Sequence, residues 1–545
     1  MTRTTMPVPT DNESHISMDD TASDCSKGPE YISEKSLSST DDEYIEPLDI
    51  IYTPARLNNK YFKWFWRISL MIDKLGEARG VQRQPPNKRS KADFWYFLKL
   101  SGIWFGATCT VPSMTGFFLG PLMFDLSFGA SAVAGVIGVF IGSVVAAFGA
   151  TLGPKSGLRQ IMGCRFQFGW YFSMFLGLVN CLSALGWLIV NSNFAGQLLS
   201  AMTNEKVSVQ IGMLINFLVV LFLSVFGLHF LEMFDTIFMI PLFVAFLLCY
   251  ICSGSEFAVN DPSKVTGIDF NASWVSFMSS CVGITSTWLP LASDYFVDMP
   301  EDTNSWLIFF FTLIVIFVPT AFVGILGVGL GSAGLYDASK AAIYNNLGGA
   351  GLIVDSMRKW HGGGIFLAVI MFISLITNSG ITAYSFGLCF QSILDVFSTC
   401  PRYPFVMLAC ALFYILSAVG QSGWSEIISN FLPMIGYWSM IYATILMIET
   451  LLFRRHKRDM YQWEYYLDRT HFPLMYASVF AFCCGVAGVA VGMDQYYFIA
   501  PIAKLVGDGC DLGTFLVVGF SGVAYIPARY LEIRLRKRTD PIIRP

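Results

Sequence analysis

The sequence predicts an all-α polytopic membrane protein with about twelve transmembrane helices. The chain has 545 residues, of which 54% are hydrophobic and only 14% are charged, whereas soluble domains carry about 25% charged residues. Its mean hydropathy is +0.55, and apolar runs of about 20 residues, long enough to cross a bilayer, recur along it. The lipid bilayer is therefore an expected partner, and nucleic acid is not.

The first part of the chain differs sharply from the rest. Residues 1–50 are acidic and rich in Ser and Thr, with few large apolar side chains, so they cannot bury enough surface to fold. They are predicted to form a disordered cytosolic tail, open to trafficking or endocytic machinery. Residues 51–96 are predicted to be a basic juxtamembrane segment, in which residues 61–75 alternate aromatic and basic side chains as an interfacial helix does.

Twelve spans follow from the apolar runs. Their predicted limits are 97–123, 127–152, 168–201, 207–228, 236–253, 273–296, 305–335, 362–394, 404–421, 427–452, 473–493 and 511–531. The connection between spans 7 and 8 is long enough for a short helix that acts as a lid, although an irregular loop is the commoner structure there. Residues 532–545 are predicted to be a basic cytosolic tail.

The distribution of Lys and Arg predicts the orientation. Basic residues concentrate in the N-terminal flank, in the connection that holds Lys155, Arg159 and Arg165, in residues 454–469 and in the C-terminal tail. All of these fall on one side if the spans alternate, and cytosolic connections are the ones that carry excess Lys and Arg. Both termini are therefore expected in the cytosol.

Two spans contain helix breakers among hydroxyl side chains. Pro112 lies in span 1 and Pro290 in span 6, and proline removes a backbone donor and clashes with the preceding turn. A simple kink at each proline would also fit the residues. Interrupted helices five spans apart nevertheless favour two inverted five-span repeats, with spans 1–5 at 97–253 and spans 6–10 at 273–452. Spans 11 and 12, at 473–531, would lie outside the repeat.

Polar stripes run along spans 3 and 8, which are counterparts in such a repeat. Asn180, Trp187 and Asn191 share one face of span 3, and Asn378 and Thr382 share one face of span 8. A Trp beside an amide can stack on a flat ring and bond its edge. The alternative is that these groups only hydrogen-bond helices to each other, at about 1 kcal/mol per bond.

Two carboxyl groups are candidates for gating or proton coupling. Asp294 lies near the end of span 6, and Glu232 lies where span 5 begins. Ionisable residues within membrane segments are costly and usually functional, although at a span end they can also reach interfacial water. No Walker loop or zinc motif is present, so neither an enzyme nor a bound cofactor or metal is expected.

A set of short motifs matches a known family. The chain resembles fungal permeases of the nucleobase-cation-symport-1 family, in the purine–cytosine permease branch, over roughly residues 75–535. The matching motifs are GPLMFDLSF at 120–128, GLRQ at 157–160, GWLIVN at 186–191, SDY at 293–295, PEDT at 300–303 and GM at 492–493. Further stretches resemble the pyridoxine-transporting members of that branch: GVQR at 80–83, VGILG at 323–327, NFLPMIGYW at 430–438, FSGVAY at 520–525 and RYLE at 529–532.

This resemblance implies a fold of the leucine-transporter type and proton-coupled uptake across the plasma membrane. It implies that a small flat heterocycle lies between Trp187 and Trp288. It also implies amide contacts at Asn191 and Asn378, and a contact from span 1 near Ser113. The acid that family members carry at the start of span 5 corresponds to Glu232.

One motif departs from the cytosine permeases. They carry Asn-Asn-Ile-Pro-Asn in span 8, where this chain reads NSGIT at 378–382. Only the first amide is kept, which argues against a nucleobase, and hydroxyl partners such as Thr382 suit the hydroxymethyl groups of pyridoxine. The expected substrate is therefore vitamin B6. Cytosine or a purine is the alternative, and a nutrient sensor that signals through its tail without transport is a minor one.

Overall fold

The computed structural model describes residues 82–536 apart from 227, 395–396, 398–401, 422–423, 457–460, 470–471 and 473. The side chains of Thr115 and of residues 225–232 and 424–427 are also not described. The predicted tail at 1–50, the predicted interfacial helix at 61–75 and the end of the predicted tail at 532–545 lie outside the described residues.

Helices occupy all twelve predicted spans. Their bounds are Phe94–Thr108 with Val111–Gly116 (span 1), Phe128–Ala150 (span 2), Trp170–Met202 (span 3), Val209–Phe226 (span 4), Leu228–Ser253 (span 5), Gly267–Ser286 with Leu289–Ala292 (span 6), Ser305–Tyr336 (span 7), His361–Ile393 (span 8), Tyr403–Gly420 (span 9), Trp424–Ile448 (span 10), Tyr476–Gly492 (span 11) and Gly513–Arg536 (span 12). Within the described part of the chain, nine helical segments are long and apolar enough to cross a membrane. The all-α polytopic fold is confirmed, while the crossing of all twelve spans and the inverted repeat stay predictions.

Shorter elements connect the spans. The helices are Leu119–Leu122, Leu152–Ser156, Gln160–Gly163, Arg165–Phe168 and Ala338–Met357. Single turns are Pro86–Lys88, Gly254–Glu256, Ser293–Tyr295, Arg358–Trp360, Trp463–Tyr465, Ala503–Leu505 and the π-helical Glu449–Phe453. Strand β1, Asp494–Gln495, pairs antiparallel with β2, Phe498–Ile499. The helix Ala338–Met357, kinked at Gly348 where φ is 62°, occupies the long connection between spans 7 and 8.

Spans 2, 6 and 10 pack so closely that glycine is required between them. A Cβ atom at Gly142 of span 2 would lie 2.3 Å from the Thr285 hydroxyl of span 6. One at Gly283 of span 6 would lie 2.2 Å from the Leu432 carbonyl oxygen of span 10. Larger residues would overlap their neighbours, so these glycines fix the position of span 6 beside the cavity described below.

The segment before span 1 lies across one face of the protein. Arg83 pairs with Glu464 at 2.8 Å and donates to the Ser156 carbonyl oxygen at 2.8 Å, and the Ser90 amide donates to the Asp298 carbonyl oxygen at 2.8 Å. The segment therefore contacts the connections between spans 2 and 3, 6 and 7, and 10 and 11. We call this the N-terminal face. These are the second, sixth and tenth connections, and alternating spans place even-numbered connections on one face.

Candidate functional site

A cavity lies between spans 1, 3, 6 and 8, and small-molecule sites occur preferentially between the helices of a bundle. It is lined by Ala107, Thr110, Pro112, Ser113, Asn180, Ser183, Ala184, Trp187, Ile284, Thr287, Trp288, Leu291, Asn378 and Thr382. The structure thus brings Ser113, Trp187, Trp288, Asn378 and Thr382 together at one cavity. The predicted contacts of these side chains with a substrate stay predictions.

Two tryptophans supply the aromatic walls. Trp187 comes from span 3, and its ring packs edge-on against Phe431 of span 10, with centroids 5.9 Å apart. Trp288 lies in the break of span 6 and packs edge-on against Trp104 of span 1, with centroids 5.7 Å apart. Both rings are half-buried, so each is held by a neighbour while part of its surface faces the cavity. Such surfaces suit a flat ring.

The break in span 1 exposes backbone to the cavity. The first helix ends at Thr108 and the second begins at Val111, with Pro112 as its second residue, where no helical donor is needed. The break leaves carbonyl groups of the last turn without helical partners, and Asn378 Nδ2 donates to the Ala107 carbonyl oxygen at 2.8 Å. Thr110 and Ser113 hydroxyls lie 3.1 Å apart just beyond it.

The break in span 6 has the same character. The long helix ends at Ser286, and a short helix resumes at Leu289 with Pro290 as its second residue. Pro290 does not line the cavity; instead, the interruption before it places Thr287 and Trp288 at the wall. Non-helical backbone at membrane depth is tolerated where protein or a water-filled cavity surrounds it. Both breaks meet that condition.

Asn191 occupies a different place from the one its predicted role suggests. It is fully buried and does not line the cavity. Its Nδ2 donates to Asn378 Oδ1 at 2.7 Å. In this conformation Asn191 therefore orients the Asn378 side chain without lining the cavity itself. Direct contact of Asn191 with a substrate stays a prediction.

The cavity also has polar lining that the sequence analysis did not assign to substrate. Ser183 Oγ accepts a hydrogen bond from Trp438 Nε1 at 2.8 Å, and Asn180 Nδ2 contacts Cys389 Sγ at 2.9 Å. Thr110 and Thr287 add hydroxyl groups. Asn180 and Ser183 lie on the same side of span 3 as Trp187, and this helical spacing could have predicted that they line the cavity. The positions of Thr110 and Thr287 in the lining depend on the geometry of the helix breaks, which the sequence does not give.

Asp294 lies outside the cavity, in the turn that ends span 6. Its Oδ1 accepts from the Gln160 amide at 2.7 Å, and its Oδ2 lies 3.7 Å from Arg159 Nη1. Arg159 Nη2 also donates to the Tyr384 hydroxyl of span 8 at 3.1 Å. These contacts join span 6 to span 8 and to the connection between spans 2 and 3 on the N-terminal face. The role of Asp294 in gating or proton coupling stays a prediction.

The side chain of Glu232 lies outside the described residues. Asp235, one turn further along span 5, was not considered in the sequence analysis, and it is 2% exposed. A Cβ atom at Gly106 of span 1 would lie 2.9 Å from Asp235 Cγ, so this carboxyl group faces span 1. Its place directly before the predicted start of span 5 was a signal that could have been found. Among the described residues, no three His, Cys, Asp or Glu side chains are grouped to hold a metal.

The chain is similar to characterised permeases over most of its length. Residues 87–511 match the family described as permease for cytosine/purines, uracil, thiamine, allantoin. A vitamin B6 transporter of Saccharomyces cerevisiae is 34% identical over 518 residues, covering 86% of this chain and 89% of that protein. A purine-cytosine permease of Emericella nidulans is 28% identical over 461 residues, covering 84% and 89%.

The fold is similar to that of a solved transporter. Mhp1, a nucleobase-cation-symport-1 family transporter in a closed conformation with bromovinylhydantoin bound, superposes with a TM-score of 0.65. The match covers 86% of this chain and 98% of that one at 13% identity, so it concerns the fold. With the family match over residues 87–511, it identifies the chain as a multi-pass membrane transporter and not an enzyme. The chain belongs to the nucleobase-cation-symport-1 family of permeases.

Proposed function

We propose that this permease is a proton-coupled symporter that imports vitamin B6, as pyridoxine, across the plasma membrane. The observation that carries the proposal is the cavity, which combines two tryptophan faces with hydroxyl groups from Thr110, Ser113 and Thr382. The identity of 34% to a vitamin B6 transporter, against 28% to a purine-cytosine permease, supports this substrate.

The lining suits the chemistry of pyridoxine. The pyridine ring is flat and aromatic, and stacking between aromatic faces contributes about 1–3 kcal/mol per ring. Its hydroxymethyl and phenolic hydroxyl groups both donate and accept hydrogen bonds, as Ser and Thr hydroxyls do. Thr382 already donates to its own helix at the Asn378 carbonyl oxygen, at 2.8 Å. Its lone pairs therefore remain for a donor on the substrate.

The distribution of charge supports an orientation with both termini in the cytosol. The N-terminal face carries Arg83, Arg89, Lys155 and Arg159 close together, and cytosolic connections are enriched in such residues. Import then runs from the opposite face to the N-terminal face. Release into the cytosol would require the contacts of Asp294 with Arg159 and Gln160 to open.

Proton coupling rests on carboxyl groups that can change charge during transport. Asp294 lies beside Arg159 at the proposed gate, and the Asp235 carboxyl group of span 5 faces span 1. Glu232 is also proposed for gating or proton coupling, because it lies at the start of span 5. We propose that no cofactor is bound and that the coupling ion is the proton rather than sodium. A carboxyl group can bind and release a proton without the cage of oxygen ligands that a metal ion requires.

A nucleobase is the second candidate substrate. Two amide side chains, Asn180 and Asn378, line the cavity, and an amide can pair with the edge of cytosine or a purine through one donor and one acceptor. The family description includes cytosine and purines. The two substrates differ in which lining residues they require: hydroxyl groups for pyridoxine and amides for a nucleobase.

The deciding experiment compares uptake of radiolabelled pyridoxine and cytosine in yeast that lacks its own permeases for both. We expect pyridoxine uptake that rises at acidic external pH and is unaffected by excess cytosine. Thr382→Val, which keeps the shape and removes the hydroxyl, should raise the apparent KM for pyridoxine. Uptake of cytosine alone would support the second candidate. Uptake of pyridoxine that does not respond to external pH would contradict proton coupling.

A further inference from the structure

Asp511 is a buried carboxyl group far from the gate at Asp294. It lies in the connection between spans 11 and 12, on the face opposite to the N-terminal face, and is 2% exposed. A carboxylate in such a place must be stabilised by hydrogen bonds or by a cation. Among the described residues, no Lys, Arg or His forms an ion pair with Asp511. Hydrogen bonds therefore have to stabilise this carboxyl group.

Those bonds reach three spans at once. Asp511 Oδ2 accepts from the Tyr437 hydroxyl of span 10 at 2.7 Å and from the Ser279 hydroxyl of span 6 at 3.4 Å. Its Oδ1 accepts from the Gly513 amide at the start of span 12 at 2.9 Å, and its own amide donates to Ser276 Oγ of span 6 at 2.8 Å. One carboxyl group thus fastens span 10 to spans 6 and 12.

Span 10 contacts two of the side chains that line the cavity from span 3. Trp438, the residue after Tyr437, donates from Nε1 to Ser183 Oγ at 2.8 Å, and Phe431 packs on Trp187. Both contacts lie on span 3, where Ser183 and Trp187 line the cavity. A displacement of span 10 would therefore remove contacts that hold Ser183 and Trp187 in place, so the bonds that fix Tyr437 also bear on the position of two lining side chains.

The charges around Asp511 favour its neutral form. Burial raises the pKa of the Asp511 carboxyl to about 7, and the negative charge of Asp494 on β1 adds to the rise. Hydrogen bonds from Tyr437 and Gly513 act in the opposite direction. Asp269, in the first turn of span 6, contacts the same connection and accepts from the Asp508 amide. Cys510 is buried beside Asp511 and Lys504 is exposed. In the described part of the chain, no Lys, Arg or His forms an ion pair with Asp511, Asp494 or Asp269.

We propose that Asp511 is a proton-binding site of the transport cycle, and that proton binding there releases span 10 and opens the cavity to the face opposite the N-terminal face. The ionised carboxylate accepts charge-assisted hydrogen bonds, which are about twice as strong as neutral ones. A proton on one oxygen removes the charge and turns an acceptor into a donor, which weakens the bond from Tyr437. This inference rests on the proposed import from that face, and it adds the site at which an external proton acts.

The test measures access to the cavity without any substrate. Ser113→Cys places a thiol in the cavity, and a membrane-impermeant maleimide labels it on intact cells between pH 5 and pH 8. Leu505→Cys, in the exposed part of the same connection, gives the intrinsic pH dependence of labelling, and the chain without an added cysteine gives the background. After normalisation we expect labelling to fall about tenfold from pH 5 to pH 8, as a group with a pKa near 7 loses its proton.

Two variants connect that change to Asp511. Asp511→Asn keeps the shape and stays neutral, and Tyr437→Phe removes the bonded hydroxyl. Each should label at the rate of the acidic state at every pH. The proposal is wrong if wild-type labelling does not depend on pH, or if Asp511→Asn retains the wild-type profile. Where Asp511→Asn does not reach the membrane, the labelling profile of Tyr437→Phe decides the question.

The same measurement separates this proposal from the proposed function. Labelling that depends on Asp511 without any pyridoxine uptake would leave the proton site standing and refute the substrate. If Leu505→Cys is not labelled on intact cells, the proposed orientation is wrong. The series is then repeated on inside-out vesicles, where the pH response decides the role of Asp511 in the same way.

Discussion

Asn191 of span 3 donates from Nδ2 to Asn378 Oδ1 of span 8 at 2.7 Å, and Asn378 in turn donates to the carbonyl oxygen of Ala107 at the break in span 1. The chain of bonds joins three spans in a fully buried place. It fixes the rotamer of the one span 8 amide that lines the cavity. The orientation of Asn378 at the cavity therefore depends on a residue that does not itself line the cavity.

Asn191→Ala should weaken substrate binding without removing a cavity wall. Asn378 Oδ1 would lose its donor, and an unsatisfied buried polar group costs about 1–3 kcal/mol, which corresponds to a rise in apparent KM of about 5-fold to 150-fold. Concentration-dependent uptake measures the change. Asn193→Ala is the matched control, because Asn193 Nδ2 bonds only to a carbonyl oxygen of its own helix. An equal rise in KM for both variants would contradict the positioning role.

Trp187→Ala and Trp288→Ala should each abolish saturable uptake while the protein still reaches the cell surface. Each removes one aromatic face, worth about 1–3 kcal/mol of stacking, and enlarges the cavity. Uptake and surface biotinylation are measured together. Trp306→Ala serves as the control, since Trp306 is 68% exposed at the start of span 7. Retained uptake with unchanged KM in both cavity variants would rule out stacking between these rings.

Asp294→Asn should impair gating on the N-terminal face. The asparagine can still accept from the Gln160 amide, but Arg159 would lose its buried counter-charge, and removing one partner of a buried pair costs about 3–5 kcal/mol. We expect slower uptake and a smaller response to external pH. Arg159→Gln and the double variant complete a cycle. Additive effects of the two substitutions would show that the pair does not act as a unit.

Glu449 and Arg529 form a buried pair that should support stability rather than transport. Glu449 Oε1 lies 2.9 Å from Arg529 Nη2, and the Tyr525 hydroxyl donates to Glu449 Oε2 at 2.9 Å. Glu449→Ala should destabilise the protein by about 3–5 kcal/mol, because it leaves Arg529 buried and unneutralised by that partner. Thermal melting in detergent measures this. Glu464→Gln, which breaks an exposed pair with Arg83, should change the free energy of unfolding by less than about 1 kcal/mol.

Asp511 should make stability depend on pH. Its folded-state pKa of about 7 lies above the ordinary value of 3.8, so the folded protein holds this proton more tightly than the unfolded chain. Stability then falls as pH rises from about 4 to about 7 and levels off above that. Asp511→Asn should lack this component, so its melting temperature should exceed that of the wild type most clearly at pH 8. Parallel melting curves across pH would contradict the shift.

Composition and local pattern were enough to predict the class of protein. Long apolar runs predicted the spans because each must cover its backbone with its own helix in lipid. Pro112 and Pro290, lying among hydroxyl residues, pointed to the two interrupted helices, because proline cannot continue a helical hydrogen-bond ladder. The helical spacing of Asn180, Trp187 and Asn191 predicted a shared face, which is a local property of one helix.

Only the tertiary structure decided which polar group faces the cavity and which one supports it. Asn191 and Asn378 look alike in sequence, and their different positions depend on how spans 3 and 8 pack across a distance of 187 residues along the chain. The same holds for Asp511, whose partners Ser279 and Tyr437 are distant in sequence. Burial and long-range hydrogen bonding are properties of several helices together, so the sequence determined the spans, their breaks and the family, while packing decided the role of each buried side chain.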